Sequence, residues 1–160
     1  MDIDFESYIR GSEPDKKEKA SAWKTAIGLQ AVDGLQTSDY LKDTAVKHIE
    51  GDISIDEVKK LINGYYQSKT ARTLQDEETE EADKVSANIA RILNEQSFAF
   101  SVAGFTSIHR RLFEEIFKFA GKIRDYDITK KEWVLRGDTV LYVNSEDLRR
   151  ALEYDLEQEK

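Results

Sequence analysis

Ser101 to Gly121 reads SVAGFTSIHRRLFEEIFKFAG. Within it Phe105, Ile108, Leu112, Ile116 and Phe119 recur at three- and four-residue spacing, which places them on one apolar helical face. The spacing predicts a helix from about Ser101 to Ala120, ended by Gly121. It is the strongest periodic signal in the chain and sets the class as mainly α. Downstream the pattern changes to alternation. Trp133-Val134-Leu135, then Arg136-Gly137-Asp138, then Thr139-Val140-Leu141-Tyr142-Val143 predict a β-hairpin, with Gly137 supplying the positive φ of a tight turn. Two strands alone are marginal in water, so this hairpin must lean on helices or meet a partner strand. Asn144 or Ser145 is expected to cap a last helix with Leu148, Leu152 and Leu156 on one face. That stripe runs to the end without a stop signal, which suggests a surface for self-association and a polypeptide that is the front part of something longer.

Upstream, the first eleven residues read as loose. Ser12 to Asp15, with Pro14 in the first turn, starts a helix whose face is Ala20, Trp23, Ile27 and Ala31. Gly34 is expected to end it. Thr37 or Ser38 caps a second helix with the stripe Leu41, Ala45 and Ile49, closed by Gly51. Ser54-Ile55-Asp56-Glu57 is a capping box, with Ile53 and Val58 as its hydrophobic staple. It opens a third helix with Val58, Leu61, Ile62 and Tyr65 inward. Residues 12–67 thus read as a three-helix module and 68–81 as an acidic linker. Residues 82–160 form the remaining region, starting with a helix on Ala82, Val85, Ile89, Ile92 and Leu93.

Composition narrows the classes. The chain has 160 residues, 39% hydrophobic and 35% charged, long enough to bury a real core. It has no cysteine, so disulfides, thiol nucleophiles and iron–sulfur clusters are excluded. With two histidines besides, a zinc site is not expected. The net charge of −8 argues against a broad nucleic-acid footprint. No apolar run approaches the roughly 20 residues that span a bilayer, and the acidic N-terminus lacks a signal-peptide core. The expected compartment is the cytoplasm, with no membrane and no nucleic-acid partner.

No self-sufficient catalytic constellation stands out, and no metal ligands are assigned. There is no Gly-rich phosphate loop, nucleophile elbow or paired-histidine helix. His109 reads as structural, and His48 as a cation near a helix C-terminus. Lys122, Arg124, Lys130 and Lys131 form a small basic cluster, either a solvated face or a phosphate-facing patch.

Four blocks, in order, resemble the N-terminal half of a Fic (Fic/Doc) domain. They are Ser107-Ile108-His109-Arg110-Arg111-Leu112-Phe113, Ala120-Gly121-Lys122-Ile123-Arg124, Lys130-Lys131-Glu132-Trp133-Val134-Leu135 and Gly137-Asp138-Thr139-Val140-Leu141-Tyr142. The resemblance covers about residues 78–160. It implies transfer of AMP from ATP, with Mg²⁺, to a hydroxyl of a target protein. It also implies that the hairpin at 131–143 is the flap, with Trp133, Val134, Leu135, Val140, Leu141 and Tyr142 docking the target segment as an added strand. The basic cluster would face the nucleotide.

Gly28-Leu29-Gln30-Ala31-Val32-Asp33-Gly34-Leu35, with the helices through Tyr66, resembles a VbhA-type antitoxin module fused ahead of the Fic region. That family carries Ser/Thr-x-x-x-Glu-Gly on an inhibitory helix, whose glutamate pairs with an arginine of the Fic motif. Aligned on Gly34, the glutamate position is Asp33 and the Ser/Thr position is Leu29. Both depart from the pattern, and aspartate keeps the charge on a shorter stem. The same residues also read as an ordinary helix C-terminus.

The catalytic signature of the family, His-Pro-Phe-x-x-Gly-Asn-x-Arg, does not occur in the sequence. The resemblance therefore implies a three-helix module on an incomplete Fic-type bundle. No catalytic residue is assigned, no cofactor is held by this chain, and ATP and Mg²⁺ belong to a complete domain. The alternative is a non-catalytic regulatory or protein-binding module that uses its helix faces and hairpin edge.

Overall fold

The computed structural model describes residues 3–95, 97–131 and 139–160. The protein is mainly α, with seven α-helices among the described residues. It divides into two compact units, Met1–Gln96 and Ser97–Lys160.

The first unit contains α1 (Phe5–Gly11), α2 (Pro14–Val32), α3 (Asp39–Glu50), α4 (Ile55–Gln67) and α5 (Leu74–Leu93). The N-terminal segment expected to be loose is helical instead. The Asp4 carboxylate caps α1 by accepting from the Glu6 N–H, and Phe5 joins the core, so the segment has an apolar anchor as well as a cap. Pro14 opens α2, where its missing N–H leaves no hydrogen bond unmade. Ser38 caps α3, and Gly51 ends it at φ 85°, a conformation that costs glycine nothing sterically. Ser54 and Glu57 form the full capping box of α4.

The core packs Trp23, Leu41, Ala45, Ile49, Val58, Ile62 and Tyr66 against Ala87 and Ala90 of α5. Each large side chain buried there contributes about 1.5–3 kcal/mol. Residues 74–81, read as acidic linker, are the first two turns of α5. A capping box between Thr73 and Asp76 starts the helix, and acidic side chains suit that end of the dipole. Residues 12–67 hold three helices, α2 to α4, and the unit adds α1 before them and α5 after them, with Ala82, Ala87 and Ala90 forming the buried small-residue side of α5.

The second unit contains α6 (Val102–Phe113), the strands β1 (Thr129–Lys131) and β2 (Thr139–Leu141), and α7 (Leu148–Gln158). Helix α6 is shorter than its periodicity predicts. Beyond Phe113 the amides of Ile116 and Phe117 both donate to the Phe113 carbonyl, and the regular winding stops. The chain then turns back through Gly121 at φ 73°, bringing the Gly121 N–H to His109 Nδ1 at 2.9 Å. Phe113, Phe117 and Phe119 cluster at this turn, with Phe117 and Phe119 stacked 4.9 Å apart. The apolar repeat thus serves a helix and then a turn.

The strands pair antiparallel, Thr129 opposite Leu141 and Lys131 opposite Thr139. The expected first strand Trp133-Val134-Leu135 and the turn at 136–138 lie outside the described residues. Neither Asn144 nor Ser145 caps α7, which begins at Leu148 after Asp147. The Ser145 N–H donates instead to Asp127 Oδ1 at 2.7 Å, and the Asn144 carbonyl accepts from the Asp147 N–H.

Candidate functional site

The residues singled out near Gly34 lie at the C-terminus of α2. The Gly34 N–H donates to the Ala31 carbonyl at 3.1 Å and the Leu35 N–H to the Gln30 carbonyl at 2.9 Å. With Gly34 at φ 78°, this is a Schellman end, and Asp33 is its C-cap residue. Both Asp33 and Gly34 are exposed, and Leu29 is 49% exposed. None of the three holds the core. The carboxylate of Glu81 on α5 is held above its usual pKa, first by partial burial and then by the charges of Asp33 and Glu78. The α2 end therefore presents an acidic, partly apolar surface.

Directly after it, the chain is tied down by a residue the sequence reading did not single out. Asp83 of α5 is fully buried. Its Oδ1 accepts from the Ser38 N–H at 2.8 Å. Its Oδ2 accepts from the Ser38 hydroxyl at 2.6 Å and from the Tyr66 hydroxyl at 2.5 Å. The same Ser38 oxygen accepts from the Leu41 N–H at 3.0 Å, capping α3. Burial raises the Asp83 pKa, and the donors from Ser38 and Tyr66 act against that rise. Burial, then the bond to Asp83, push the Tyr66 phenol upward. The available signal was a carboxylate in helical register with Ala87 and Ala90.

His48 is not the cation expected near a helix C-terminus. It is buried, in register with Leu41 and Thr44, and Nδ1 accepts from the Trp23 indole at 3.0 Å. Burial, and then the charge of Lys19, lower its pKa.

In the second unit, two of the four residues of the basic cluster, Lys122 and Arg124, have described side chains. Arg124 donates to the carbonyls of Tyr126 and Val143, so its guanidinium pins the 124–126 turn to the end of the strand pair. Lys122 is exposed. The side chains of Lys130 and Lys131, and those of Val140 and Leu141, lie outside the described residues, as do Trp133, Val134 and Leu135. Tyr142 is 43% exposed. A cavity of about 370 Å³ lies between α6 and α7, with walls including Phe105, His109, Phe119, Tyr126, Leu148 and Leu152. Because His109 Nδ1 accepts from Gly121, its neutral ring carries the proton on Nε2. The ring also sits 4.9 Å from that of Phe113, a structural setting.

Among the described residues no group of three or more His, Asp or Glu side chains could hold a metal ion. No helix there is long and apolar enough to cross a membrane. Comparison with protein-family models, with curated proteins and with solved structures gave no match.

Proposed function

We propose that the chain carries the N-terminal portion of a Fic-type protein that transfers AMP from ATP to hydroxyls of a target protein, with a built-in antitoxin-like regulatory module. The observation that carries the reading is the end of α2. Leu29, Asp33 and Gly34 stand exposed on a module whose core does not need them. A carboxylate there is free of core duties and can meet a cation of a catalytic region. The four Fic-like sequence blocks, in order, supply the family assignment.

The flap role rests on the paired strands Thr129–Lys131 and Thr139–Leu141. A two-stranded ribbon has an outer edge whose amides and carbonyls can take an extended peptide by strand addition. AMP transfer needs a base within hydrogen-bond reach of the attacking hydroxyl and charge stabilisation at the phosphates. In this family the His-Pro-Phe block would supply both, so these 160 residues alone do not transfer nucleotide.

The test uses labelled ATP, Mg²⁺ and a cell lysate. The 160-residue chain should label nothing above background. A polypeptide that continues the genomic frame past Lys160 into an in-frame His-Pro-Phe block should label itself, and Asp33→Ala should raise that labelling. Labelling by the 160 residues alone, a continued frame without such a block, or no change with Asp33→Ala would each count against the reading.

A further inference from the structure

We infer that Asp83 is a positioning residue that fixes the inhibitory end of α2 by clamping the segment between α2 and α3. The inference rests on the reading above and adds to it how that end is held. Four residues separate Asp33 from Ser38, and both ends of this short span are fixed. At one end the Schellman pair binds Gly34 and Leu35 to the last turn of α2. At the other, Asp83 takes both the backbone N–H and the hydroxyl of Ser38.

The clamp reaches across three helices. Asp83 belongs to α5, Ser38 caps α3, and the Tyr66 phenol that shares Oδ2 comes from α4. Ser38 is used in both directions, its hydroxyl donating to Asp83 and accepting from Leu41. A carboxylate suits this place because Ser38 and Tyr66 both donate to it, and a carboxylate only accepts. Loosening it frees the α3 cap and the span that sets where Asp33 stands, without removing an apolar side chain from the core.

Hydrogen exchange on the 160-residue chain reads the clamp without any activity. Asp83→Ala should speed exchange at the amides of Leu35 to Leu41 by at least about tenfold, since the acceptor of the Ser38 N–H and the order of the Ser38 hydroxyl are both lost. The amides of α1 and of the first half of α2 should keep their protection. In Asp83→Asn, whose carbonyl can still accept from the Ser38 N–H, the change should be smaller. Unchanged exchange at Leu35–Leu41, or a rise spread evenly over the unit, would overturn the proposal.

The second arm uses the longer polypeptide and labelled ATP. Asp83→Ala should raise self-labelling in the same direction as Asp33→Ala, and Asp83→Asn should restore part of the inhibition. A rise with Asp33→Ala but none with Asp83→Ala would refute the positioning role and leave the functional reading standing. If neither variant raises labelling, the regulatory reading fails and the positioning role fails with it, whatever the exchange shows.

Discussion

The indole N–H of Trp23 on α2 donates to Nδ1 of His48 on α3 at 3.0 Å, and both side chains are buried. The bond fixes the imidazole as a neutral acceptor with its proton on Nε2. Protonating Nδ1 would set one N–H against another. Burial and the nearby Lys19 ammonium oppose the charged form, while Asp15 favours it.

The first unit should therefore lose stability in acid. The folded pKa of His48 is lowered, so the unfolded chain binds the proton more readily. The contribution is fully present above the ordinary imidazole value of about 6.5 and fades as pH falls below it. Urea midpoints compared at pH 8 and pH 5.5 should fall for the wild type. The fall should shrink in His48→Asn, which keeps an acceptor near Nδ1 but does not titrate there. Equal falls in both proteins would refute the assignment.

Neighbouring positions on α4 should differ sharply. Ile62 is 1% exposed, whereas Leu61 is 38% exposed. Ile62→Ala removes packed atoms and leaves a cavity, at about 2–5 kcal/mol. Leu61→Ala, already half in solvent, should cost less than about 1 kcal/mol. Unfolding of the two variants, followed by Trp23 fluorescence in a Trp133→Phe background, ranks them. A Leu61→Ala loss as large as that of Ile62→Ala would contradict the described core.

The two capping boxes should each matter locally. Ser54→Ala and Thr73→Ala remove the oxygens that accept from Glu57 and Asp76 amides, at about 1 kcal/mol each. The Asp76 carboxyl is held down to about 2, first by the Thr73 backbone N–H and then by Lys69. Its stabilising contribution is present above the ordinary aspartate pKa of about 3.9 and is lost as pH falls through about 2. Titration of the Asp76 carboxyl by NMR, in wild type and Thr73→Ala, checks this. The variant keeps the Thr73 backbone N–H and Lys69 but loses the Thr73 hydroxyl, which donates to Asp76 Oδ2 at 2.9 Å, so the carboxyl should move part of the way toward the ordinary value.

Glycine replacements should separate backbone strain from collision. Gly34 is at φ 78° with nothing within 4 Å of an added Cβ. Gly34→Ala should therefore cost only the left-handed conformation, about 1–2 kcal/mol. At Gly121 (φ 73°) an added Cβ would lie 2.6 Å from Arg110 Cβ and 3.1 Å from the Thr106 carbonyl oxygen. Gly121→Ala must move α6 or open the turn, releasing the His109 contact. Chemical-shift mapping should show changes confined to 33–38 for Gly34→Ala. For Gly121→Ala they should spread over α6 and the 117–124 turn, and a local response there would be inconsistent with the packing.

By itself, the sequence determined the helical class and much of the punctuation of the first unit. Ser38, Gly51 and the Ser54–Glu57 box act through bonds within a few residues, and local chemistry is visible in a string. The Leu41, Ala45 and Ile49 stripe was legible because burial follows helical period. Tertiary structure decided what depends on partners distant in the chain. Phe5 became core because α2 lies over it, and residues 74–81 became helix because α5 has packing to join. The apolar repeat of 105–119 could not reveal its break at Phe113, since a face of large side chains serves a helix or a folded-back turn equally well. His48 and Asp83 look like surface residues by type. Only the approach of Trp23, Ser38 and Tyr66, 17 to 45 residues away in sequence, made one a neutral acceptor and the other a buried clamp. A polar group enters a core only where its hydrogen bonds are met, and those partners belong to other helices.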